Sequence, residues 1–392
     1  MKRLQHIDAL RGFALFGILL LHAHVNFGVL AEATNEILVN PKLNSMASYF
    51  ITILVRNKAF AIFSIMFGFS FYLHLHKGSL SGNNFRRTYT LRLLILLVFG
   101  YIHSMYFPSD ILTKYALIGF VMLLLHKLRP RYILLLAFLL LLQIPEIIQL
   151  IKSLRVPDYQ ISSHTNPLIW EKMREVTKSG SFTELVKLNM GAVFIETWKM
   201  NFISGRIFTI LGYFLLGYFL GRSCLLDNPA HCRKNYYYIL GVGVVMYILI
   251  RYIRSYVGNS SGFSEESITI ISSLLIGYMN FFMVAILFSI FVILYQIHFF
   301  KIFMNILAPY GRMSLTSYMV QSFLGVFVFY GFGLGMYDYL GSFLSLVVGV
   351  IILLMLLVFS HIWFRYYRYG PLEWIWRALT YRSWHVPMRK EK

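Results

Sequence analysis

Apolar runs of about 20 residues recur along this chain, at 8–29, 58–76, 88–107, 110–126, 131–151, 206–222, 236–255, 268–297, 312–332 and 339–364. A helix rises 1.5 Å per residue, so about 20 apolar residues cross the hydrocarbon of a bilayer. The runs therefore predict ten membrane-spanning helices. Composition points the same way. The chain is 58% hydrophobic and only 13% charged, whereas a soluble domain carries roughly a quarter charged residues. That much apolar surface does not fit inside a soluble core. The fold class expected is all-α, a polytopic transmembrane helix bundle, with residues 1–392 forming a single transmembrane domain.

Charge sorting fixes the expected topology. With the N-terminus in the cytoplasm, the even-numbered connections carry Lys77, Arg86 and Arg87, then Lys127, Arg129 and Arg131, then Arg222, Arg233 and Lys234, then Lys301. The C-terminal tail adds Arg365, Arg368, Arg377, Arg382, Arg389, Lys390 and Lys392. The opposite side carries Glu32, Glu36, Asp110, Asp158, Glu171, Glu175, Glu265, Glu266 and Asp338. One span too many or too few would scramble this alternation, so ten spans with both termini cytoplasmic is the consistent solution. The same rule accounts for the net charge of +20. The basic residues are dispersed between apolar runs, without the folded basic face that nucleic-acid binding needs. Membrane lipids are the expected neighbours. Lys2 and Arg3 before Gly12–Leu21 resemble a signal peptide, but no small-x-small cleavage site follows, which predicts an uncleaved first span. Cys224 and Cys232 flank His231; that is too few ligands for a metal site and no disulfide framework.

Several local expectations follow. Gln143, Pro145 and Glu146 predict a kink or early end in the fifth span. The eighth span is long enough to tilt strongly. Residues 31–57 are expected to form an outer loop with an interfacial stretch from Met46 to Val55. Residues 152–205 form the long extracytoplasmic loop, and Phe182–Lys199, with Trp198, predicts an interfacial helix acting as a lid. Residues 366–392 read as a cytoplasmic juxtamembrane tail, with Pro371 placed to start a short helix.

Ionisable groups within spans mark functional candidates. Arg11 and His22 stand eleven residues apart in the first span, which is three turns, or roughly 16 Å, along one face. Asp8 lies three residues before Arg11, where it can pair with the guanidinium. The third span repeats the spacing with Arg92 and His103, and Asp110 follows beyond the helix-breaking Pro108. Arg offers bidentate phosphate binding, and His can act as a general base. A ligand with phosphates at one end and a reactive group about 16 Å away fits such a face. Coenzyme A thioesters have that form. For an isolated pair, snorkelling arginines and helix-bridging histidines are the simpler explanation; identical spacing and direction in two spans favours a functional face. Arg312 starts the ninth span, with Gln321 about half a turn round. Ser64 and Gly68 of Phe63–Gly68 suit close helix packing first and close approach to a ligand second. Arg206, Arg251 and Arg254 lie near outer helix ends, and His24 points away from His22.

The N-terminal run Ile7-Asp8-Ala9-Leu10-Arg11-Gly12-Phe13-Ala14-Leu15-Phe16-Gly17-Ile18-Leu19 resembles that of the YeiB-like bacterial membrane proteins. The resemblance continues at Phe63–Gly68, at His103 with Asp110-Ile111-Leu112 and Tyr115-Ala116, at Gly311–Tyr318 with Gln321-Ser322, and at Gly370–Arg377. That family is similar to a wider transmembrane acyltransferase superfamily, whose first span carries an Arg followed by ten residues and a His. Arg11 and His22 match that pair, where many YeiB-like proteins have Asn at the second position. The resemblance implies a multi-pass protein of the bacterial cytoplasmic (inner) membrane and the use of acyl-CoA.

The expectation for function is an integral-membrane acyltransferase without a metal. It would move an acyl group, in the simplest case acetyl from acetyl-CoA, from the cytoplasm to a hydroxyl or amine of an envelope glycan, lipid or small molecule. His22 is the first candidate base, with Asp8 orienting Arg11. His103 and Asp110 position the acceptor or supply the alternative base, and Arg11, Arg92, Arg312 and Ser64 bind the cosubstrate. A homo-oligomer is compatible with this reading. The alternatives are a transporter or flippase for an organic anion, and a non-catalytic scaffold.

Overall fold

A computed structural model describes residues 4–29, 35, 37, 40–80, 85–156, 159–160, 165–223, 225–226, 229, 231–259 and 263–390, with only the backbone for 77–80. Glu32, Glu36, Asp158, Cys224 and Lys392, and the side chain of Lys77, lie outside the described residues. The described residues are helical almost throughout. In chain order, the first helices are α1 (Gln5–His24), α2 (Pro41–Phe50), α3 (Lys58–Leu80), α4 (Phe85–Tyr106), α5 (Leu112–Leu125), α6 (Pro130–Leu141) and α7 (Ile144–Arg155). Next come α8 (Pro167–Ser179), α9 (Phe182–Leu188), α10 (Phe194–Ile203), α11 (Arg206–Arg222), α12 (Arg233–Gly258) and α13 (Glu265–Tyr295). The chain closes with α14 (His298–Ile306), α15 (Ala308–Arg312), α16 (Ser314–Phe329), α17 (Ser342–Tyr366) and α18 (Pro371–Tyr381).

Among the described residues, six helical stretches are long and apolar enough to cross a membrane, or up to eight if each of two bent pairs is one span. The bent pairs are α6 with α7 (43°) and α9–α10 with α11 (68°). Two shorter apolar helices, α5 and α16, fall where further spans were expected. The segment read as an outer loop ending in an interfacial stretch is helical over Pro41–Val55, with a π turn at Ile51–Val55. It continues toward α3 through Asn57 in the left-handed region (φ 66°). The long 152–205 region is likewise mostly helix, because α8, α9 and α10 account for most of it.

The expected break in the fifth span is present. Gln143 adopts a left-handed conformation (φ 58°) and Pro145 sits in the first turn of α7, where its missing N–H costs nothing. The carbonyl freed at the break is not orphaned: Tyr278 on α13 donates to Leu142 O at 2.8 Å. Protein backbone that leaves the helix at membrane depth needs such a partner.

Helix α1 is central. Ile7, Asp8, Ala9, Leu10, Gly12, Ala14, Leu15, Ile18, Leu19, Leu20 and Ala23 are all buried, so most of its circumference faces protein. It contacts α3, α13, α14, α15, α16 and α17. By contrast, α12 packs mainly on α13 and exposes Val245, Ile248 and Leu249, the composition of a lipid-facing helix. Small residues let the inner helices meet backbone to backbone. A Cβ at Gly311 would stand 2.0 Å from Asp8 O, which fixes α15 against α1. A Cβ at Gly68 would stand 2.0 Å from Phe214 O and one at Gly217 1.9 Å from Ile65 O, which locks α3 to α11. The packing role expected for Gly68 is therefore the one the structure shows.

Gly217→Ala is expected to destabilise the protein by about 1–3 kcal/mol, because backbone rather than a flexible side chain must move. Gly241→Ala has open space around the new methyl and is expected to be neutral or slightly stabilising, since alanine favours helix. Thermal unfolding of the detergent-solubilised protein checks the pair. Equal melting temperatures for both variants would contradict this account of the α3–α11 contact.

Candidate active site

The N-terminal half of α1, with α3, α4, α15 and α18, encloses a cavity of about 280 Å³. Arg11, Arg92 and Arg312, three separate predicted groups, all line it, and Arg377 joins them from α18. Arg11 donates to Asp8 Oδ1 at 3.3 Å and to Ser70 Oγ at 2.5 Å. The proposed orientation of Arg11 by Asp8 is thus realised, and Ser70 completes it from α3. Arg92 stacks on Trp376 at 4.2 Å from the ring centre. Trp376 in turn donates its indole N–H to Arg92 O at 2.9 Å. Arg377 lies over Tyr369 and Tyr381 at 5.0 and 5.1 Å. Both Arg92 and Arg377 line the cavity, and among the described residues their side chains make ring contacts and no hydrogen bond or ion pair. Arg312 sits over the Phe364 ring at 4.0 Å and donates to Arg368 O.

One carboxylate lines this cavity, and its oxygens already hold the backbone. Glu373 accepts from Leu315 N (2.7 Å), Thr316 N (3.2 Å) and Thr316 Oγ1 (2.6 Å), capping the start of α16. Leu372 N returns a bond to Thr316 Oγ1 at 3.0 Å. Burial in this knot pushes the Glu373 carboxyl up from its ordinary value, while the donors from Thr316 and Leu315 pull it back. The tail helix starts at Pro371, as expected, but it does more than anchor to lipid. It docks on α4 and α16 and brings Trp376 and Arg377 into the cavity wall.

The histidines gather at the other end of the same helices. His103 Nδ1 lies 2.8 Å from Asp110 Oδ1, with both side chains buried. Asp110 also accepts from Leu112 N (3.0 Å), Thr113 N (2.8 Å) and Thr113 Oγ1 (2.7 Å), which makes it the cap of α5. Lys114 Nζ donates to Asp110 O at 2.5 Å. A carboxylate bonded by backbone donors is an acceptor, so it assigns the proton to His103 Nδ1. Nε2 then carries the lone pair, and it makes no hydrogen bond among the described residues. This is the arrangement of an oriented general base. His22 lies nearby: its ring meets Phe107 at 4.8 Å, and His103 meets the same phenylalanine at 5.5 Å. No carboxylate orients His22, which makes no hydrogen bond among the described residues.

The repeated Arg/His spacing therefore has a three-dimensional counterpart, with two arginines at one cavity and two histidines around one ring. Ser64 is elsewhere. It is fully buried, donates to Phe60 O at 2.8 Å and bonds the Tyr115 hydroxyl at 2.7 Å. Gln321 also stays in the core, accepting from Tyr310 OH at 2.5 Å. The segment read as a lid packs on α4 and lines a small pocket with Asp110: Asn189 donates to Met105 O at 3.0 Å, and Phe194 packs on Tyr101 at 5.8 Å. Sequence reasoning missed Ser70, His74, Trp376 and Arg377 as cavity residues. Ser70 and His74 lie three and four turns along α3 from Lys58 and carry no charge pattern. Trp376 carries the family resemblance alone, and Arg377 reads in the sequence as one of the basic residues of the cytoplasmic tail.

Comparison with known proteins matches the family described as Protein of unknown function (DUF418) over residues 220–383. Uncharacterized protein YxaH of Bacillus subtilis (strain 168) is 28% identical over 408 residues, spanning 100% of this chain and 97% of the relative. An uncharacterized 39.9 kDa protein in the amylase 3' region of Bacillus acidopullulyticus is 27% identical over 405 residues, at 100% and 97% coverage. Uncharacterized protein YeiB of Escherichia coli (strain K12) is 27% identical over 403 residues, at 98% and 97% coverage.

Glu373→Ala is expected to free α18 from α16 by removing three bonds from a buried cap, at a cost of about 1–3 kcal/mol. Hydrogen exchange of residues 314–317 and 371–381 should accelerate at least tenfold, while α12 stays unchanged. Unaltered exchange in both segments would contradict the knot described here.

Proposed function

From a chain that is YeiB-like along its length, we propose an integral-membrane acyltransferase of the bacterial cytoplasmic membrane. It takes an acyl group, in the simplest case acetyl, from cytoplasmic acyl-CoA. It passes that group to a hydroxyl or amine of an envelope glycan, lipid or small molecule. In this reading the chain crosses the membrane ten times, with both termini and the arginine cavity on the cytoplasmic side. The observation that carries the proposal is the pairing, along α4, of a cavity arginine and an Asp-oriented histidine, where among the described residues the arginine has no acidic partner and the histidine Nε2 no hydrogen bond.

The chemistry follows from that geometry. Arg92 and Arg377, with Arg11 and Arg312, bind the phosphates of the cosubstrate. The pantetheine arm runs roughly 16 Å along α1 and α4 and brings the thioester to the histidines. His103 Nε2 takes the proton of the acceptor O–H or N–H as the acceptor oxygen or nitrogen attacks the thioester carbonyl. The tetrahedral adduct collapses with cleavage of the C–S bond. The proton on His103 passes to the departing sulfur, giving free CoA thiol and an acyl ester or amide. Asp110 holds the ring and stabilises the imidazolium that forms. His22, about the same phenylalanine, borders the acceptor.

Transport of an organic anion is the second reading, and the two bent helix pairs favour it, since transporters build substrate sites from broken helices. It predicts substrate movement across vesicles without consumption of acyl-CoA.

Purified protein is expected to bind acetyl-CoA, with Arg92→Ala and Arg377→Ala each weakening binding about tenfold. His103→Ala should leave binding intact and lower acyl transfer about 10²–10⁴-fold. Titration calorimetry and radiolabelled acetyl transfer read the two effects separately. Binding unchanged by both arginine substitutions would remove the phosphate site, and full transfer by His103→Ala would remove the base.

A further inference from the structure

A second pocket, of about 200 Å³, lies between the two broken helix pairs. It is built where α6 gives way to α7 at Gln143 and where α10 gives way to α11 at Gly205, both in the left-handed region. Side chains that a helix would have kept in regular rows converge there. Arg206 is the first residue of α11. Its guanidinium lies over the Phe60 ring at 4.5 Å and makes no ion pair or hydrogen bond among the described residues. More than a third of its surface is open. Asn280 on α13 is 8% exposed and lines the pocket without a hydrogen-bond partner among the described residues. Glu146 Oε2 is buried and equally without one. Buried polar groups are normally satisfied, so an orphaned carboxylate oxygen in one cavity with a guanidinium and a carboxamide that lack hydrogen-bond partners among the described residues marks a missing ligand.

The pocket is separate from the arginine cavity, and no lining residue is common to the two. Phe60 forms its wall, and the Phe60 carbonyl accepts from Ser64 and from Tyr115 on α5, the helix whose first N–H groups Asp110 holds.

We propose that this pocket binds the acceptor, and that the acceptor is a hydroxyl-bearing anion whose charged group sits on Arg206 and whose hydroxyls bond Glu146, Asn280 and Gln143. The assignment rests on the acyl-transfer reading for the word acceptor, but the binding chemistry does not. One free cation selects an anion. The Gln143 Nε2 already donates to Leu274 O at 3.2 Å, so the acceptors for the O–H groups of a polyol are the Glu146 carboxylate and the carboxamide oxygens of Gln143 and Asn280. Aromatic rings at Phe60 and Tyr213 close the site against lipid. A phosphate-bearing polyol has this form, whether as the headgroup of an anionic lipid or as a soluble glycerol phosphate.

Thiol chemistry tests the pocket without any assay of acyl transfer. Thr209 lines the pocket one turn beyond Arg206 on α11. Thr209→Cys is made in a protein with Cys224 and Cys232 changed to Ser and placed in nanodiscs, where both faces are accessible. Rates are compared for an anionic methanethiosulfonate (2-sulfonatoethyl) and a cationic one (2-trimethylammonioethyl), each normalised to a free thiol. The anionic reagent is expected to react about tenfold faster, a difference that Arg206→Gln abolishes or inverts and Arg206→Lys retains. Nanodiscs of phosphatidylglycerol against phosphatidylcholine test the lipid source, and added glycerol 3-phosphate tests the soluble one. Protection by either identifies the source. Equal rates for the two reagents, or a preference indifferent to Arg206→Gln, overturns the anion site. A preserved charge preference without protection by either polyol overturns the acceptor assignment. If the charge preference and protection hold but acetyl transfer is absent, the pocket stands and only the acyltransferase reading falls.

Discussion

A charge held within a hydrocarbon-solvated bundle needs a partner from the same protein, because lipid supplies none. That constraint organises this molecule. Arg11 is held by Asp8 and Ser70, Arg312 by Arg368 O and the Phe364 ring, and His103 by an Asp110 that also caps α5. Arg92 and Arg377 depart from the pattern. Among the described residues each is met only by aromatic faces, which stabilise a guanidinium weakly and take none of its N–H groups as hydrogen-bond donors. In the proposed reading, that departure marks the two arginines that bind ligand.

The two ends of the site are coupled through rigid elements. Close glycine contacts fix α15 to α1 and α3 to α11, so the arginine end cannot shift without moving the helices that carry the histidines. Helix α18 closes the cavity through Glu373, whose acceptors bind both α16 and, through Thr316, its own neighbour Leu372. A site whose groups lie three helical turns apart keeps its geometry only if the intervening helices are this firmly packed.

The helical fold was legible in the sequence because apolar runs of span length and dispersed charge leave few alternatives. The pairing of Asp8 with Arg11 and the break at Gln143 were legible for local reasons: helix spacing in one case, proline in the other. The Arg/His repeat placed Arg11 with Arg92 and His22 with His103 because one straight-helix rule applies to both spans. What escaped was tertiary. Ser70 and Arg377 reach the cavity only once α3 and α18 dock, and no periodicity within either helix signals that. Ser64 was expected at a ligand, yet its hydroxyl bonds the Phe60 carbonyl four residues back and the Tyr115 hydroxyl across the core. The left-handed Gly205 and Gln143 juxtapose Arg206 and Glu146, which are sixty residues apart in sequence. Chain breaks of this kind create sites that hydropathy does not reveal.

The central claim is that one bound molecule joins the arginine cavity to the His–Asp pair. A structure of the protein with a non-hydrolysable acetyl-CoA analogue tests it most directly. The account predicts phosphates within hydrogen-bond distance of Arg92 and Arg377, and the carbonyl carbon beside His103 Nε2. An analogue bound with its phosphates at those arginines but its acyl end directed away from His103 would contradict it, as would one bound at another surface altogether.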